Sequence, residues 1–289
     1  MDVHDPYDHN APHVLYIKES IPTLETRDEF EQLFLEGCQC TGTCLKDECA
    51  CILKSAAFYE THNAKTAVEI QERYTINLKD TERPVYECNG SCKCYGSLCG
   101  HRLVQLGPRH GLTVKECPPL DDQSTSKRIK LDSTNDQVGR KGLGLFTLED
   151  IPSGRFVCEY AGEIIDETEA KRRFRCNTEQ NKMNYIFCIL EHFGAKTIKT
   201  YIDPTVFGNI GRYINHSCSP NCLLVPVRVN SSVPKLCIFT QREINKNEEI
   251  TYDYGMDRAT SSNDPEVKLK RCLCGAENCR KFIPFCNYI

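Results

Sequence analysis

A mainly β fold with few helices is what this sequence predicts, and two observations carry the prediction. Short apolar runs such as Phe156-Val157-Cys158-Glu159-Tyr160 and Leu236-Cys237-Ile238-Phe239 follow one another from Gly139 onward, punctuated by Gly142, Gly144, Gly154, Gly162, Gly208 and Gly211. Runs of that length bounded by turn residues read as strands. The sequence has no internal repeat and no alternation of strands with amphipathic helices, which argues against a Rossmann-type methyltransferase or dehydrogenase. A third observation sets a separate module ahead of the strands: nine cysteines in two tight groups, Cys38, Cys40, Cys44, Cys49 and Cys51, then Cys88, Cys92, Cys94 and Cys99. Nine is odd, so disulfides alone cannot pair them, and it is not a multiple of four, so separate tetrahedral sites do not fit. Three zinc ions need twelve thiolate positions, which nine cysteines fill only if three of them each bridge two ions. The arithmetic points to one compact three-metal cluster.

The elements follow in order. Residues 1–37 form a polar N-terminal segment in which Phe30, Leu33 and Phe34 give Glu25–Glu36 a short helical pattern. Ile52–Glu87 separates the two cysteine groups and reads as a loop with some helix, tied down at its ends by metal. Leu103–Glu116 reads as extended chain. Pro118–Gln137, rich in Pro, Asp, Ser and Thr, reads as an exposed, flexible insertion. Within it, Lys127-Arg128-Ile129-Lys130-Leu131-Asp132 has the character of a nuclear import signal or of a solvated charge run. Among the later strands one helix stands out, Asp166–Cys176. It has an Asp-x-x-Glu start at Asp166 and Glu169, with Ala170 and Phe174 on one face.

Composition narrows the function classes. The chain has 289 residues, 40% hydrophobic and 26% charged, enough for one large domain or one domain plus a small module. Its 20 cysteines raise the possibility of a secreted disulfide protein. The polar, acidic Met1–Asn10 has no apolar core and no cleavage site, and no apolar run approaches a membrane span. The expectation is a reduced, metal-binding intracellular protein without a membrane role. A formal net charge of −4 suits a basic partner better than nucleic acid.

Near the C-terminus stands Cys272-x-Cys274-Gly275-x-x-x-Cys279. A structural zinc takes four ligands, so a fourth must come from elsewhere. Cys218, within Asn215-His216-Ser217-Cys218, is the candidate; the competing reading is three buried small hydrophobes.

Asn215-His216-Ser217-Cys218 with Pro220-Asn221, followed by Tyr252-Asp253-Tyr254-Gly255, resembles the SET domain of protein-lysine methyltransferases. The nine cysteines resemble its pre-SET module and the C-terminal triplet its post-SET module, in the expected order. Gly154-Arg155-Phe156-Val157-Cys158-Glu159-Tyr160-Ala161-Gly162-Glu163 and Val225-Pro226-Val227-Arg228 are similar to the suppressor-of-variegation class of histone H3 methyltransferases. The similarity is greatest to the branch whose SET portion is fused to a mariner transposase. The resemblance implies a SET fold of short curved sheets with a pseudoknot over residues 103–258, interrupted by the insertion at 118–137. The pre-SET module would occupy 38–102 and the post-SET tail 268–285. It implies three zinc ions on the first nine cysteines, with Cys38, Cys44 and Cys88 bridging. One ion takes Cys38, Cys40, Cys44 and Cys49; a second takes Cys38, Cys51, Cys88 and Cys92; a third takes Cys44, Cys88, Cys94 and Cys99. A fourth zinc takes Cys218, Cys272, Cys274 and Cys279.

The implied reaction moves a methyl group from S-adenosylmethionine to a lysine amine. The enzyme has to align the reactants and present a neutral amine. Free lysine has a pKa of about 10.4, so only roughly one in a thousand is neutral near pH 7. An apolar channel beside a positive sulfonium lowers that pKa. The resemblance makes Tyr254 the catalytic tyrosine, Tyr160 a channel wall, and Tyr252 the residue whose hydroxyl restricts the product to mono- and dimethyl-lysine. Lys141-Gly142-Leu143-Gly144 corresponds to the cofactor loop, and Tyr185, Arg212, Asn215 and His216 to further cofactor contacts. His216, tempting as a base, is expected to be a cofactor-binding and structural residue.

One departure bears on substrate. Relatives acting on lysine nine of histone H3 often carry acidic residues where this chain has Cys188 and Leu190, with Glu191 the nearby substitute. The expected partner is the histone H3 tail in chromatin, at lysine nine or lysine thirty-six, with a nuclear location, a monomeric chain and no sequence-specific DNA binding. A catalytically weak chromatin-binding module and a transposon-related DNA-binding protein are the alternatives.

Overall fold

The computed structural model describes residues 13–32, 36–60, 66–78, 83–94, 99–118, 141–180, 182–255 and 270–283. The insertion after Pro118, with its basic cluster at Lys127–Asp132, lies outside the described residues, as do Leu33 and Phe34. Short strands dominate, with four α-helices among the described residues.

One four-stranded sheet explains why a run such as Leu236-Cys237-Ile238-Phe239 is apolar at every position. Its order is Val85–Tyr86, Cys222–Arg228, Lys235–Thr240, Phe156–Glu159. Side chains alternate faces along a strand, and here both faces are covered. Leu236 and Ile238 join Val157 and Cys158 in one core, while Cys237 and Phe239 join Phe156 and Val225 in another. Phe156 and Phe239 are fully buried, with rings 5.4 Å apart. Each contributes about 1.5–3 kcal/mol of burial.

The second core is completed by Tyr59, Ile70 and Tyr74, and here the structure departs from the expected loop over Ile52–Glu87. That stretch forms a helix Ala50–Lys54 and an antiparallel hairpin, Ala57–Glu60 with Thr75–Leu78. Between the hairpin strands lies a helix Ala67–Arg73, whose first turn is capped by Thr66 accepting from the amide of Glu69. Strands this short alternate too briefly to register as strands in sequence. Leu103–Glu116 is likewise only partly extended: a 3-10 turn at Val104–Leu106 precedes the strand Leu112–Glu116, which pairs with Leu143–Thr147.

The second four-stranded sheet runs Phe187–Phe193, Lys196–Asp203, Glu163–Ile165, Ile21–Pro22. Its hairpin closes in two residues through Gly194, whose φ of 59° suits glycine. The helix Glu167–Glu179 starts as its sequence implies, with the Asp166 carboxylate accepting from the amide of Glu169 at 2.7 Å. It runs three residues past the expected end at Cys176. Arg173 fastens it to the sheet through Glu163 and the buried Asp203, at 2.7 and 2.8 Å.

Asn215–His216 runs parallel to Thr251–Tyr252 although the hairpin of Cys222–Arg228 and Lys235–Thr240 intervenes. This is the crossing expected of the pseudoknot. The N-terminal segment is stitched on in parallel at two places, Leu15–Tyr16 beside Phe207–Gly208 and Ile21–Pro22 beside the strand Glu163–Ile165.

Gly162 sits where the sheet meets the chain leaving Asp203. A Cβ there would stand 2.6 Å from the backbone carbon of Asp203. Gly162→Ala should therefore force backbone apart and destabilise the fold by about 1–3 kcal/mol, read as a lower urea midpoint at unchanged m-value.

Candidate active site and metal centres

The nine N-terminal cysteines converge. Sγ of Cys38, Cys44 and Cys88 form a triangle with sides of 3.7, 4.0 and 3.6 Å. A disulfide would bring two sulfurs to about 2.05 Å. Two thiolates on one tetrahedral zinc, at Zn–S of about 2.3 Å, stand about 3.8 Å apart. The spacing is that of shared metal ligands. Cys38, Cys40, Cys44 and Cys49 form one group with all sulfurs within 4.8 Å, and Cys44, Cys88, Cys94 and Cys99 form another. The remaining set, Cys38, Cys51, Cys88 and Cys92, is spanned by two overlapping groups and by a Cys51–Cys92 separation of 3.6 Å. Each corner of the triangle thus belongs to two foursomes. Backbone amides of Cys38 and Asn89 point at Cys92 Sγ, that of His101 points at Cys99 Sγ, and Arg102 reaches Cys94 Sγ at 3.6 Å. Donors of this kind stabilise thiolate charge.

Cys218, Cys272, Cys274 and Cys279 form a separate group, with Cys218 and Cys272 sulfurs 3.8 Å apart. The structure brings Cys218, distant in sequence, within reach of the three C-terminal cysteines.

The strand Thr251–Tyr252 and the chain just beyond it carry two tyrosines, and Tyr160 follows the strand Phe156–Glu159. Tyr252 is buried at the end of its strand, 4.9 Å ring to ring from Tyr254 and 6.2 Å, edge-on, from Tyr160. Phe187 closes the group, 6.0 Å from Tyr160 and 6.4 Å from Tyr252. The Tyr160 hydroxyl donates to the carbonyl of Tyr185 at 2.7 Å, and the Tyr254 hydroxyl to the carbonyl of Ile214 at 2.9 Å. Burial pushes all three phenols well above their ordinary range, so they stay protonated across physiological pH. The result is a four-ring aromatic wall whose polar atoms are hydroxyls and backbone carbonyls.

Next to it lies the glycine loop. Gly142 has φ 80° and nothing within 4 Å of where a Cβ would stand, so its backbone can be approached closely. Leu143, which follows it, is 41% exposed. Lys141 and Asn215 are both held by Glu249: Lys141 Nζ donates at 2.7 Å and Asn215 Nδ2 at 2.8 Å, the latter also reaching the carbonyl of Leu143 at 3.0 Å. Cys117 packs beside them, its thiol pushed up to about 12 by burial and then by Glu249. His216 accepts from the amide of Tyr254 at Nδ1, which leaves the proton on Nε2, 3.3 Å from Cys218 Sγ. Burial lowers its pKa to about 4, only partly opposed by Asp253, so the ring is neutral. Arg212 lies over the ring of Tyr185 at 4.6 Å while its Nε donates to the carbonyl of Pro204.

Two family models match the chain, the Pre-SET motif over residues 2–102 and the SET domain over residues 142–255. The mouse histone-lysine N-methyltransferase SETMAR is 36% identical over 263 residues, covering 88% of this chain and 75% of SETMAR. The probable histone-lysine N-methyltransferase set-23 of Caenorhabditis elegans is 34% identical over 254 residues, covering 86% of this chain and 87% of that one. The chain belongs to the SET-domain histone-lysine methyltransferases. Among solved structures, the methyltransferase domain of human SETMAR superposes with a TM-score of 0.67 at 32% identity, covering 98% of this chain and 93% of that one. KRYPTONITE bound to DNA, an H3(1–15) peptide and SAH superposes with a TM-score of 0.63 at 25% identity, covering 96% of this chain and 48% of that one.

Seen as a SET-domain site, the structure brings Tyr160, Tyr252 and Tyr254 together and groups Lys141, Gly142, Leu143, Asn215 and His216 beside them, with the Arg212–Tyr185 stack attached through the Tyr160 hydroxyl. Sequence reasoning missed Phe187, which reads as one more strand residue, and Glu249, whose neighbours Glu248 and Ile250 read as a surface turn entering a strand. Glu191, expected as a substitute acid for substrate, is bound bidentately by Arg228 at 2.8 and 2.7 Å, with both side chains largely buried. Cys188 instead packs with Ile165, Ala170 and Phe174 behind the sheet.

The shared corners of the cluster have a measurable consequence. Cys88→Ser removes a sulfur common to two foursomes, Cys40→Ser one that belongs to a single foursome. Metal content by inductively coupled plasma mass spectrometry should fall by more than one equivalent in Cys88→Ser and by no more than one in Cys40→Ser.

Proposed function

We propose that the protein transfers methyl groups from S-adenosylmethionine to a lysine in the histone H3 tail, lysine nine or lysine thirty-six, and stops at the mono- and dimethyl forms. The observation that carries this reading is the aromatic wall of Tyr160, Phe187, Tyr252 and Tyr254 standing against an open glycine loop and a neutral His216. These residues fit the methyl donor: close backbone approach at Gly142, polar groups at Asn215 and His216, and an aromatic face at Tyr185. S-adenosylmethionine, when bound, supplies a methyl group on a sulfonium that is already a good leaving group. The chain supplies alignment and a low-dielectric channel. Tyr254, anchored at its amide by His216 and at its hydroxyl by Ile214, fixes the amine relative to the methyl. Tyr160, Phe187 and Tyr252 strip water from the lysine stem, which lowers the amine pKa toward the working range.

Three zinc ions on the N-terminal triangle and one on Cys218, Cys272, Cys274 and Cys279 are the metals that the sulfur spacing supports. The Tyr252 hydroxyl is the reason for stopping short of trimethyl-lysine, since a third methyl group competes with it for space. On the substrate side, Glu191 is occupied by Arg228 and Cys188 is half-buried against the Ile165 cluster, which weakens recognition of an arginine beside the target and keeps lysine thirty-six open. A nuclear, chromatin-bound role follows from a histone substrate. Mass spectrometry of histone H3 after reaction with the purified protein tests the reading; absence of methyl transfer to any H3 lysine rejects it.

Two outcomes follow from the tyrosines. Tyr254→Phe should lower kcat by about 10²-fold, the scale of lost alignment. Because the tyrosine stays protonated, the rise of kcat/KM with pH should persist in that variant: it reports the lysine amine, whose neutral fraction grows tenfold per pH unit below its pKa. Separately, Tyr252→Phe should raise the trimethyl share of the product read by mass spectrometry, leaving monomethylation intact.

A further inference from the structure

Arg280 follows the zinc-type ligand Cys279 and reaches back across the molecule. Its backbone amide points at Cys218 Sγ, 3.3 Å away. Its guanidinium donates to Asp253 Oδ1 at 2.5 Å and to the carbonyl of Gly255 at 3.1 Å, and lies 3.5 Å from His216 Nε2. Asp253 and Gly255 are the residues on either side of Tyr254. Asn278 adds a contact from its side chain to the carbonyl of Cys218 at 3.3 Å.

We propose that Arg280 is a positioning residue, a two-pronged clasp by which the C-terminal cysteine knuckle holds the backbone of Tyr254 in register. The proposal rests on the methyltransferase reading and adds to it a residue that touches neither reactant. The ion pair is about one-third exposed on both sides, and a pair of that kind contributes little to stability by itself. What matters is where its ends are. The planar fork of a guanidinium can hold a carboxylate and a carbonyl together, which an ammonium cannot do with the same geometry. One end is covalently next to Cys279 and hydrogen-bonded to Cys218, so its place is set by the knuckle. The other end brackets Tyr254, whose amide is already held by His216 and whose hydroxyl is on Ile214. The knuckle and the catalytic tyrosine are thereby coupled through three residues.

The test compares wild type, Arg280→Ala and Arg280→Lys as zinc-loaded full chains. It measures zinc content, kcat and KM for methyl transfer to a histone H3 peptide, and hydrogen exchange of the Tyr254 and Gly255 amides. Arg280→Ala should keep the wild-type zinc content, lose kcat by about tenfold with a smaller change in KM, and exchange faster at both amides. Arg280→Lys should recover part of each effect. With Asp253→Ala measured alongside, the double variant Arg280→Ala/Asp253→Ala should lose less than the sum of the two single variants, as expected of partners in contact. Unchanged exchange at Tyr254 and Gly255 in Arg280→Ala overturns the clasp, as does a loss of the C-terminal zinc equivalent that accounts for the fall in kcat. If wild type transfers no methyl group, the functional reading fails, while the exchange data still decide the clasp.

Discussion

Asn215 pairs with Thr251 and His216 with Tyr252 in a parallel ladder only two residues long, and the functional side chains lean on that contact. Parallel pairing is slightly less stable per residue than antiparallel, and two residues cannot sustain a ladder unaided. Side chains extend it. Asn221 behaves as an extra peptide unit: its Oδ1 accepts from the amide of Thr251 and its Nδ2 donates to the carbonyl of Glu249, each at 2.8 Å. The amide of Ser217 continues the ladder to the carbonyl of Tyr252. Glu249, two residues before Thr251, turns its carboxylate to Asn215 and Lys141. The same few residues that hold the crossing therefore present the tyrosines on one side and fix the glycine loop on the other.

The N-terminal cluster supports this arrangement from a distance. If three zinc ions sit on these nine thiolates, as proposed, the formal charge is about −3, and the amides and Arg102 that point at the sulfurs are placed to offset it. Its link to the catalytic half is a buried carboxylate. Glu87, adjacent to Cys88, accepts from the Tyr59 hydroxyl at 2.7 Å, the Val104 amide at 2.8 Å and Gln105 Nε2 at 2.8 Å. Glu87 also follows directly on Val85–Tyr86, the strand that joins the four-stranded sheet beside Val227 and Arg228. The cysteine cluster, sheet extension and the second core thus meet within four residues of chain, so that the affinity of metal bound there would add to folding free energy.

Much of this was legible in the chain because its signals are local. The tight spacing within each cysteine group, the Asp166 cap and the tyrosine-bearing motif each occupy a short run of chain, and the structure brings the cysteines and the tyrosines together and forms the cap. Phe187, Glu249 and Arg280 were not legible, since each acts on a partner far away in sequence and has nothing local to mark it. The hairpin of Ala57–Glu60 and Thr75–Leu78 was hidden for the converse reason, four-residue strands being too short for a period to emerge. Glu191 shows the same limit from the other side: its proximity to the site suggested a substrate contact, and only the fold brings Arg228 to it.

Charge around the channel follows a rule that the reaction itself requires. A free carboxylate near the target amine would favour the ammonium form and oppose transfer. The acids on the elements that carry the aromatic wall are instead matched with cations: Asp203 and Glu163 by Arg173, Glu159 by Lys235, Glu249 by Lys141, Asp253 by Arg280 and Glu191 by Arg228. The polar groups of the wall are phenols held protonated by burial and carbonyls such as that of Ile214, which accept a hydrogen bond without carrying charge. On the proposed function, an amine brought against this wall would lose water and gain no counter-ion, so its neutral form would be favoured. By the same reading the site needs no general base of its own, and neutral His216 serves to hold the Tyr254 backbone rather than to carry the proton.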